Sequence, residues 1–364
     1  MGYFYAHLFA TEPEISAMFP AAMHTQRRLL YEALLKIVAM TPDPVTGLPS
    51  GDDELIKYLA DLGRAHRKYG VRKEHYAAFR SALRVTAGRF TPRGEAAGAS
   101  DGDYWEAAID RAVGIMLVAA EENAAQAPAW WTAEVTGHEL RTPQVAVLTV
   151  QPTEPFPFDP GQHLSVQTPR WPRVWRNYSI ANAPRPDGSL TLHVRAVGGG
   201  LVSTTLVHHV EPGDMLVLGR AEGAMTADTQ SRRPVLCLAG GTGLAPLKAI
   251  AEAMTATGSR REIVLYYGAR TESELYDLPA LRQMELDFPW LQVIPVTSHE
   301  RAGGTRHGTI PILAAKADWD DRDVYISGPD AMIARTVQAL RTLGAPAGTL
   351  HYDLPEESRA RDIA

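Results

Sequence analysis

Several short stretches of this chain bring reactive side chains or bare backbone close together. In "RVWRNYSIANAP", Arg176 and Tyr178 flank Asn177 and precede Ser179. On a strand, Arg176 and Tyr178 share one face and Ser179 takes the other. A forked cation beside an aromatic ring suits a ligand that has both a phosphate and a flat ring system. Taken alone, the same pattern is that of an ordinary surface strand. In "LCLAGGTGLAP", Gly241, Thr242, Gly243, Leu244, Ala245 and Pro246 follow an apolar run and open a helical one. Glycines let a phosphate approach the backbone, and a helix N-terminus offers free N–H groups. Pro246 falls in the first turn, where a missing donor costs nothing. The spacing is GxGxxP rather than GxGxxG, so a bare strand-to-helix turn is the competing reading. "VGGGLVSTTL" gives a second glycine-to-helix passage at Gly199, Gly200, Leu201, Val202 and Ser203.

A different chemistry sits near the start. His66 lies on a helical face with Leu55, Leu59 and Leu62. By itself that is a core histidine. The small Gly63 and Ala65 beside it leave room for a bulky planar group. Tyr76 opens another apolar face with Phe79 and Leu83, and a buried phenol needs a partner, for which His66 is a candidate. Tyr5, Phe19, Gln26 and Leu30 put two polar tips among apolar neighbours; such positions are usually plain core.

These residues need elements to hold them, and the texture of the chain changes twice. Residues 1–127 read as helix, with Leu30, Leu34, Ile37 and Val38 at helical spacing and breaker clusters at "TPDPVTGLPSGDDE" and "TPRGEAAGASDGD". Trp105, Ile109, Val113, Met116 and Ala120 mark a long last helix. Residues 130–228 are short β-runs with Pro, Gly and Asp punctuation, the pattern of an antiparallel barrel or sandwich. Residues 232–364 alternate strand and helix, the pattern of a parallel sheet. The fold class is therefore multidomain: an α domain, then β, then α/β.

Composition narrows the function. A chain of 364 residues with 45% hydrophobic and 21% charged residues is an ordinary folded protein. A net charge of -6 gives no case for nucleic acid. The single cysteine, Cys237, excludes an internal disulfide and a cysteine-built metal site. No apolar run approaches the ~18 residues of a membrane span. The start, "MGYFYAHLFATEPE", lacks a basic secretion-signal region, so a cytoplasmic location is expected.

Taken together, the motifs from about Trp130 onward resemble the ferredoxin-reductase family, a flavin-binding barrel followed by a nicotinamide-binding α/β domain. "DPGQHLSV", "YISGPDAM" and the terminal "HYDL" belong to the likeness. It implies that Arg176, Asn177, Tyr178 and Ser179 grip FAD, with His163 beside them, and that Gly200, Leu201, Val202 and Ser203 hold its pyrophosphate. It implies that Gly241 to Pro246 hold NADH or NADPH, with Ser327, Gly328 and Pro329 as a later wall. Departures are His163 where relatives often carry an aromatic, Ser327 where many carry cysteine, and Leu354 where an aromatic commonly covers the flavin.

With "FYAHLFATEPEISAMFP", "QRRLLYEAL" and "LGRAHRKYGVRKEHY" added, the whole chain resembles flavohaemoglobin, a globin fused to this reductase. The resemblance implies haem b with His66 as its iron ligand and Tyr76 behind it. Tyr5, Gln26 and Leu30 would line the distal pocket and Phe19 would wedge the ring. The family carries a helix before the Tyr5 segment and the sequence begins almost at Tyr5, which reads either as a truncated or mis-assigned start or as a globin with an open flank. The family's proximal glutamate maps to Ala120, with Glu121 one residue and so ~100° away. The implied activity is nitric-oxide dioxygenation, with electrons passing from NAD(P)H through FAD to haem and with O2 and NO as substrates. No obligatory protein partner is expected. A flavin reductase or oxidase with a drifted globin, and an O2- or NO-binding sensor, are the rivals. Arg270 could meet a 2′-phosphate, though an exposed loop arginine is the commoner reading. The resemblance favours NADH.

Overall fold

The computed structural model describes residues 1–19, 23–40, 52–90, 100–256 and 260–353. Leu354 and the side chains of Val38 and Trp105 lie outside the described residues, as does most of each breaker cluster. By packing, the chain forms two compact units, Met1–Trp130 and Trp131–Ala364.

The first unit is helical. Its helices are α1 (Gly2–Thr11), α2 (Pro13–Ser16), α3 (His24–Met40), α4 (Asp52–His66), α5 (Lys73–Phe90) and α6 (Ser100–Gln126). α4 and α6 start inside the sequences read as breaker clusters, at "DDE" and "SDGD". Acidic and serine side chains favour the first turn of a helix, so these clusters double as start signals. The core gathers Phe4, Leu8, Ile15, Leu55, Leu59, Leu83, Ile109 and Met116 from all six helices' neighbourhood, with Leu30, Leu34 and Leu62 packed against it. α4 and α6 cross very closely. A Cβ placed on Gly63 would lie 2.2 Å from the Met116 carbonyl oxygen. The bareness of Gly63 is thus used by α6, not by a planar ligand, which corrects one reason given for doubting a plain core role at His66.

The second unit carries two six-stranded sheets. β1 (Trp131–Thr142), β2 (Val145–Pro152), β3 (His163–Gln167), β4 (Arg176–Ser179), β5 (Leu190–Arg195) and β6 (Met215–Glu222) form an antiparallel sheet in the order β4-β3-β6-β1-β2-β5. An isolated bridge between Ile180 and Leu192 joins its two edges. Closing the sheet this way leaves few free edge groups. Leu190, Leu192 and Val194 are buried on one face of β5. α7 (Leu201–His208) lies between β5 and β6.

The parallel sheet is built from β7 (Val235–Gly240), β8 (Ile263–Ala269), β9 (Leu291–Thr297), β10 (Arg306–His307), β11 (Asp323–Ser327) and β12 (Leu350–His351), in the order β10-β9-β8-β7-β11-β12. α8 (Leu244–Ala256), α9 (Leu278–Asp287), α10 (Ile310–Ala314) and α11 (Asp330–Thr342) cover it. Val145 and Val147 of β2 join the same core as Leu244, Leu247 and Ile250 of α8, so the two sheets pack as one body. Their contact is tight. At Gly161, φ is +104° and a Cβ would meet the Met225 carbonyl at 2.2 Å, so only glycine fits there.

Candidate functional site

In the parallel sheet the chain order reverses at β7. β8 lies on one side and β11 on the other. The crevice beyond the C-terminal ends of such strands is where open α/β sheets bind ligands. Here the two loops at that crevice touch. A Cβ on Gly243 would lie 2.4 Å from the Gly328 nitrogen, so position 243 has no room for a side chain. Gly241 adopts φ +55°, a left-handed turn that glycine takes without strain. Thr242 completes the turn, and Leu244, Ala245 and Pro246 begin α8. A cavity of about 330 Å³ opens at this point. Gly241, Thr242 and Gly243 line one wall, and Ser327, Gly328 and Pro329 another. From the antiparallel sheet, Asn177, Tyr178 and Ser179 close it. Residues far apart in sequence, read as two separate motifs, thus meet around one space.

β4 holds its residues as the alternation requires. Tyr178 pairs with Leu164 of β3 and Ser179 with His163. Burial raises the Tyr178 titration well above the usual phenol range, so the ring stays neutral. Arg176 is exposed, and its guanidinium donates to the Trp175 carbonyl at 2.8 Å. His163 is half-buried. A Cβ on Gly223 would lie 3.1 Å from its Nδ1 and 2.9 Å from Asp353 Oδ2. The "HYD" segment therefore returns to the flavin strand, although the Leu354 that follows lies outside the described residues.

The loop before α7 is built for close approach. Gly199 has φ +75°, and a Cβ on Gly200 would lie 2.4 Å from Ser203 Oγ. Ser203 Oγ donates to the Gly200 carbonyl at 3.4 Å and accepts from the Val197 amide at 3.3 Å. Leu201 and Val202 begin the helix, Leu201 exposed and Val202 fully buried. Free N–H groups of the first turn and a bare backbone remain, which fits an anionic pyrophosphate.

In the helical unit, Tyr5 is buried and its hydroxyl donates to the Gln26 backbone carbonyl at 3.2 Å. Its ring meets Phe19 edge-on at 5.6 Å. Burial raises the Tyr5 phenol to about 12. Leu30 packs on the same core. Gln26 Oε1 and the Tyr76 hydroxyl are buried with no hydrogen-bond partner. His66 ends α4; burial, helped by the nearby Lys68, lowers its titration to about 4, leaving a neutral imidazole at ordinary pH.

The expected His66–Tyr76 hydrogen bond does not form: the Tyr76 hydroxyl has no partner at all. A 3-10 turn, Arg67–Tyr69, intervenes after His66 and re-aims the chain before α5. Arg67 ties this turn to the end of α6, donating to Asn123 Oδ1, to the Ala127 carbonyl at 2.9 Å and to the Pro128 carbonyl at 3.4 Å. Glu121 faces outward and pairs with exposed Lys73 at 3.9 Å. Among these residues a neutral imidazole, an unpaired amide oxygen and an unpaired phenol in an apolar core fit a haem. The glycine cradles fit two dinucleotides.

His193 and Arg195 were missed by sequence reasoning, yet both line the cavity. They sit on β5 opposite Leu192 and Val194, so the strand's apolar alternation hides them. The signal was there: "LTLHVR" carries a histidine and an arginine two apart. His193 Nδ1 and the Tyr276 hydroxyl lie 2.8 Å apart, both buried. Arg195 Nη1 lies 3.8 Å from the position of a Cβ on Gly241.

Comparison with known proteins matches these units to three family models. They are Globin over residues 2–116, Oxidoreductase FAD-binding domain over 133–226 and Oxidoreductase NAD-binding domain over 237–338. The electron transfer component of the xylene/toluene monooxygenase of Pseudomonas putida is 33% identical over 205 residues, 55% of this chain and 58% of the relative. The reductase component of the naphthalene 1,2-dioxygenase system of Pseudomonas putida is 30% identical over 225 residues, covering 60% and 67%. The flavohemoprotein of Bordetella pertussis is 26% identical over 378 residues, covering 97% and 92%. This chain thus spans just over half of the first relative and nearly all of the third. The flavohemoglobin structure from Malassezia yamatoensis, with FAD and heme, has the same fold at 18% identity, with a TM-score of 0.76 over 96% of this chain and 92% of that one.

Fold and site define an NAD(P)H-dependent oxidoreductase in which a globin is joined to FAD- and NAD-binding domains. The chain is similar over nearly its whole length to a flavohemoprotein, and its cofactors are haem, FAD and a nicotinamide dinucleotide. Among the described residues no helix is long and apolar enough to cross a membrane.

Proposed function

We propose that this chain is a nitric-oxide dioxygenase, converting NO and O2 to nitrate at the expense of NAD(P)H. When bound, the nicotinamide supplies hydride, the flavin passes single electrons and the haem iron supplies the oxygen chemistry. The observation that carries the reading is the Tyr5–Gln26 pair. It is a neutral phenol fixed at 3.2 Å from a backbone carbonyl, beside an unpaired amide oxygen, inside an otherwise apolar core. With a titration near 12 the Tyr5 hydroxyl keeps its proton, so it can donate to a polar diatomic ligand by exchanging the Gln26 carbonyl for it.

Other residues position. His66, neutral at ordinary pH, would ligate the iron. Leu30 and Phe19 would pack the ring, and Tyr76 would stand behind His66. Arg176, Asn177, Tyr178, Ser179 and His163 would hold the flavin and Gly200 to Ser203 its pyrophosphate. Gly241 to Pro246, with Ser327, Gly328 and Pro329, would hold the nicotinamide dinucleotide. In this scheme residues 1–127 form the haem part, 130–228 the flavin part and 232–364 the nicotinamide part. No protein partner is required, and O2, NO and the dinucleotide are the small-molecule ligands.

A second reading, delivery of electrons to an acceptor other than haem, is favoured by one observation. Glu121 is paired with Lys73 and the Tyr76 hydroxyl makes no bond to His66, so the support behind the histidine is thin. Stopped-flow mixing of the oxygenated protein with NO decides. The dioxygenase gives nitrate in step with NADH loss; NADH oxidation with NO left unconsumed supports the second reading and overturns the first.

A further inference from the structure

His193 is buried to 4% exposure on β5 and lines the cavity where the flavin strand meets the nicotinamide loops. Its Nδ1 is taken, lying 2.8 Å from the Tyr276 hydroxyl, with the two rings edge-on at 83°. Its Nε2 is closed off from solvent and has no partner. A polar nitrogen left in that state is costly, and such groups in folded proteins are normally satisfied. The packing around it is fixed. Tyr276 is itself buried, and the neighbouring Asp277 is held by a 2.7 Å ion pair to Lys248 of α8.

The facing charges decide the protonation state. Burial, joined by Lys248 and Arg141, outweighs the pull of Asp277 toward the imidazolium and lowers the titration to about 4. The ring is neutral, with one nitrogen a donor and the other an acceptor. Tyr276 is a phenol whose titration burial pushes far up, so it keeps its proton and has it to donate to Nδ1. In that tautomer the remaining proton sits on Nε2, on a residue that lines the cavity together with Asn177, Tyr178, Ser179, Arg195 and the glycine loops.

We propose that His193 is a positioning residue whose Nε2–H donates to a carbonyl oxygen on a flat ring seated in this cavity, with Tyr276 fixing the tautomer. That carbonyl belongs either to the nicotinamide carboxamide or to the flavin pyrimidine. The proposal rests on FAD and dinucleotide binding by this chain and goes beyond it, because none of the glycine motifs reads the ring. No covalent step is involved. Arg195, two residues on and against Gly241, carries the charge that a phosphate needs, which leaves His193 for a neutral oxygen.

The test uses the full holoprotein and two probes, NAD+ and ADP-ribose, the second lacking the nicotinamide ring. The variants are His193→Leu, which removes the donor, and His193→Gln, which restores an N–H donor. Loss of one neutral hydrogen bond corresponds to about 5- to 10-fold in affinity. If the nicotinamide is the partner, His193→Leu weakens NAD+ by that factor and leaves ADP-ribose unchanged. If the flavin is, both nucleotide affinities hold, while FAD titrated into apoprotein binds more weakly and its absorption band shifts. In either case His193→Gln recovers most of the loss and Tyr276→Phe reproduces part of it. Equal weakening of NAD+ and ADP-ribose, or no change in any of the three affinities with folding intact by circular dichroism, overturns the proposal. Failure of the unmodified protein to bind FAD at all would instead strike the family reading.

Discussion

The helical unit and the sheet unit build their sites in opposite ways. In the sheet unit the site is mostly backbone. Gly200, Gly241, Gly243 and Gly328 are there because a Cβ would collide or the turn demands it, and the ligand meets N–H groups. In the helical unit the proposed site is entirely side chains. Tyr5, Gln26, His66 and Tyr76 project from four different helices into a core whose shape any apolar residues could fill. A backbone site is fixed by topology and fails when space is lost. A side-chain site is fixed by single atoms and fails when one atom is removed.

The sharpest break is therefore His66→Ala. The variant is expected to lose haem, read as loss of the intense haem absorption band, while FAD content and NADH-driven reduction of an artificial acceptor stay as they were. Retention of haem at normal stoichiometry would show that the helical site does not hang on this imidazole. The effect is all-or-none because a globin haem depends on its axial ligand.

On the other side of the comparison, Gly243→Val adds volume without removing any polar atom. Its first carbon already falls 2.4 Å from the Gly328 nitrogen, so the β7 and β11 loops must part. Overpacking of that kind costs about 1–3 kcal/mol, or roughly 5- to 150-fold in an equilibrium constant. The expected result is a rise of that size in KM for NADH, with haem and FAD content unchanged. A neighbouring truncation, Thr242→Ala, should do far less. Equal effects of the two changes would mean that side chains, not backbone space, make this site.

How much of this was legible in the sequence follows the same division. Glycine cradles are visible because a backbone requirement leaves its mark as a residue type, and Gly241 and Gly243 stood out for that reason. His193 escaped for the converse reason, hidden in a strand whose other face is wholly apolar. At Gly63 the residue type was seen and misread, because the α4–α6 crossing that requires it is tertiary and has no local trace. The missing His66–Tyr76 bond is of the same kind. A 3-10 turn between them shifts where each side chain points, and spacing along the chain cannot report that.

The buried His193 gives the sheet unit an acid sensitivity of intermediate size. In the folded protein it titrates near 4 and in the unfolded chain near 6.5. Below 6.5 the unfolded chain takes up a proton that the folded one refuses, so stability falls as pH drops from about 6.5 to about 4. A shift of this size corresponds to roughly 3 kcal/mol across that window. Urea unfolding of the full chain, followed by FAD release at several pH values, should show the slope. His193→Gln should flatten it. A slope unchanged in the variant would place the sensitivity elsewhere, for example at His351, whose titration burial also lowers, since the Glu252 carboxyl, which burial raises, acts in the opposite sense.

The smallest effect concerns the dinucleotide's far end. Arg270, which a 2′-phosphate could have used, is held by Glu274 at 2.5 Å and 3.2 Å, and the pair holds the Arg270 titration up and the Glu274 titration down. An exposed pair of this kind contributes little to stability, yet it occupies the guanidinium fork. Glu272 and Glu300 stand in the same rim, Glu300 accepting from the Glu272 amide. Like charges there oppose a phosphate, so NADH is expected to be the better substrate. Arg270→Ala should change the NADH-to-NADPH ratio by less than about twofold, because the cation is already committed. Glu274→Gln frees it and removes a negative charge, and should improve KM for NADPH by a few-fold at low salt, an effect that fades as ionic strength rises. A large loss of NADPH use in Arg270→Ala would show instead that this side chain leaves Glu274 to meet the ligand, making the rim a side-chain site on a backbone-built unit.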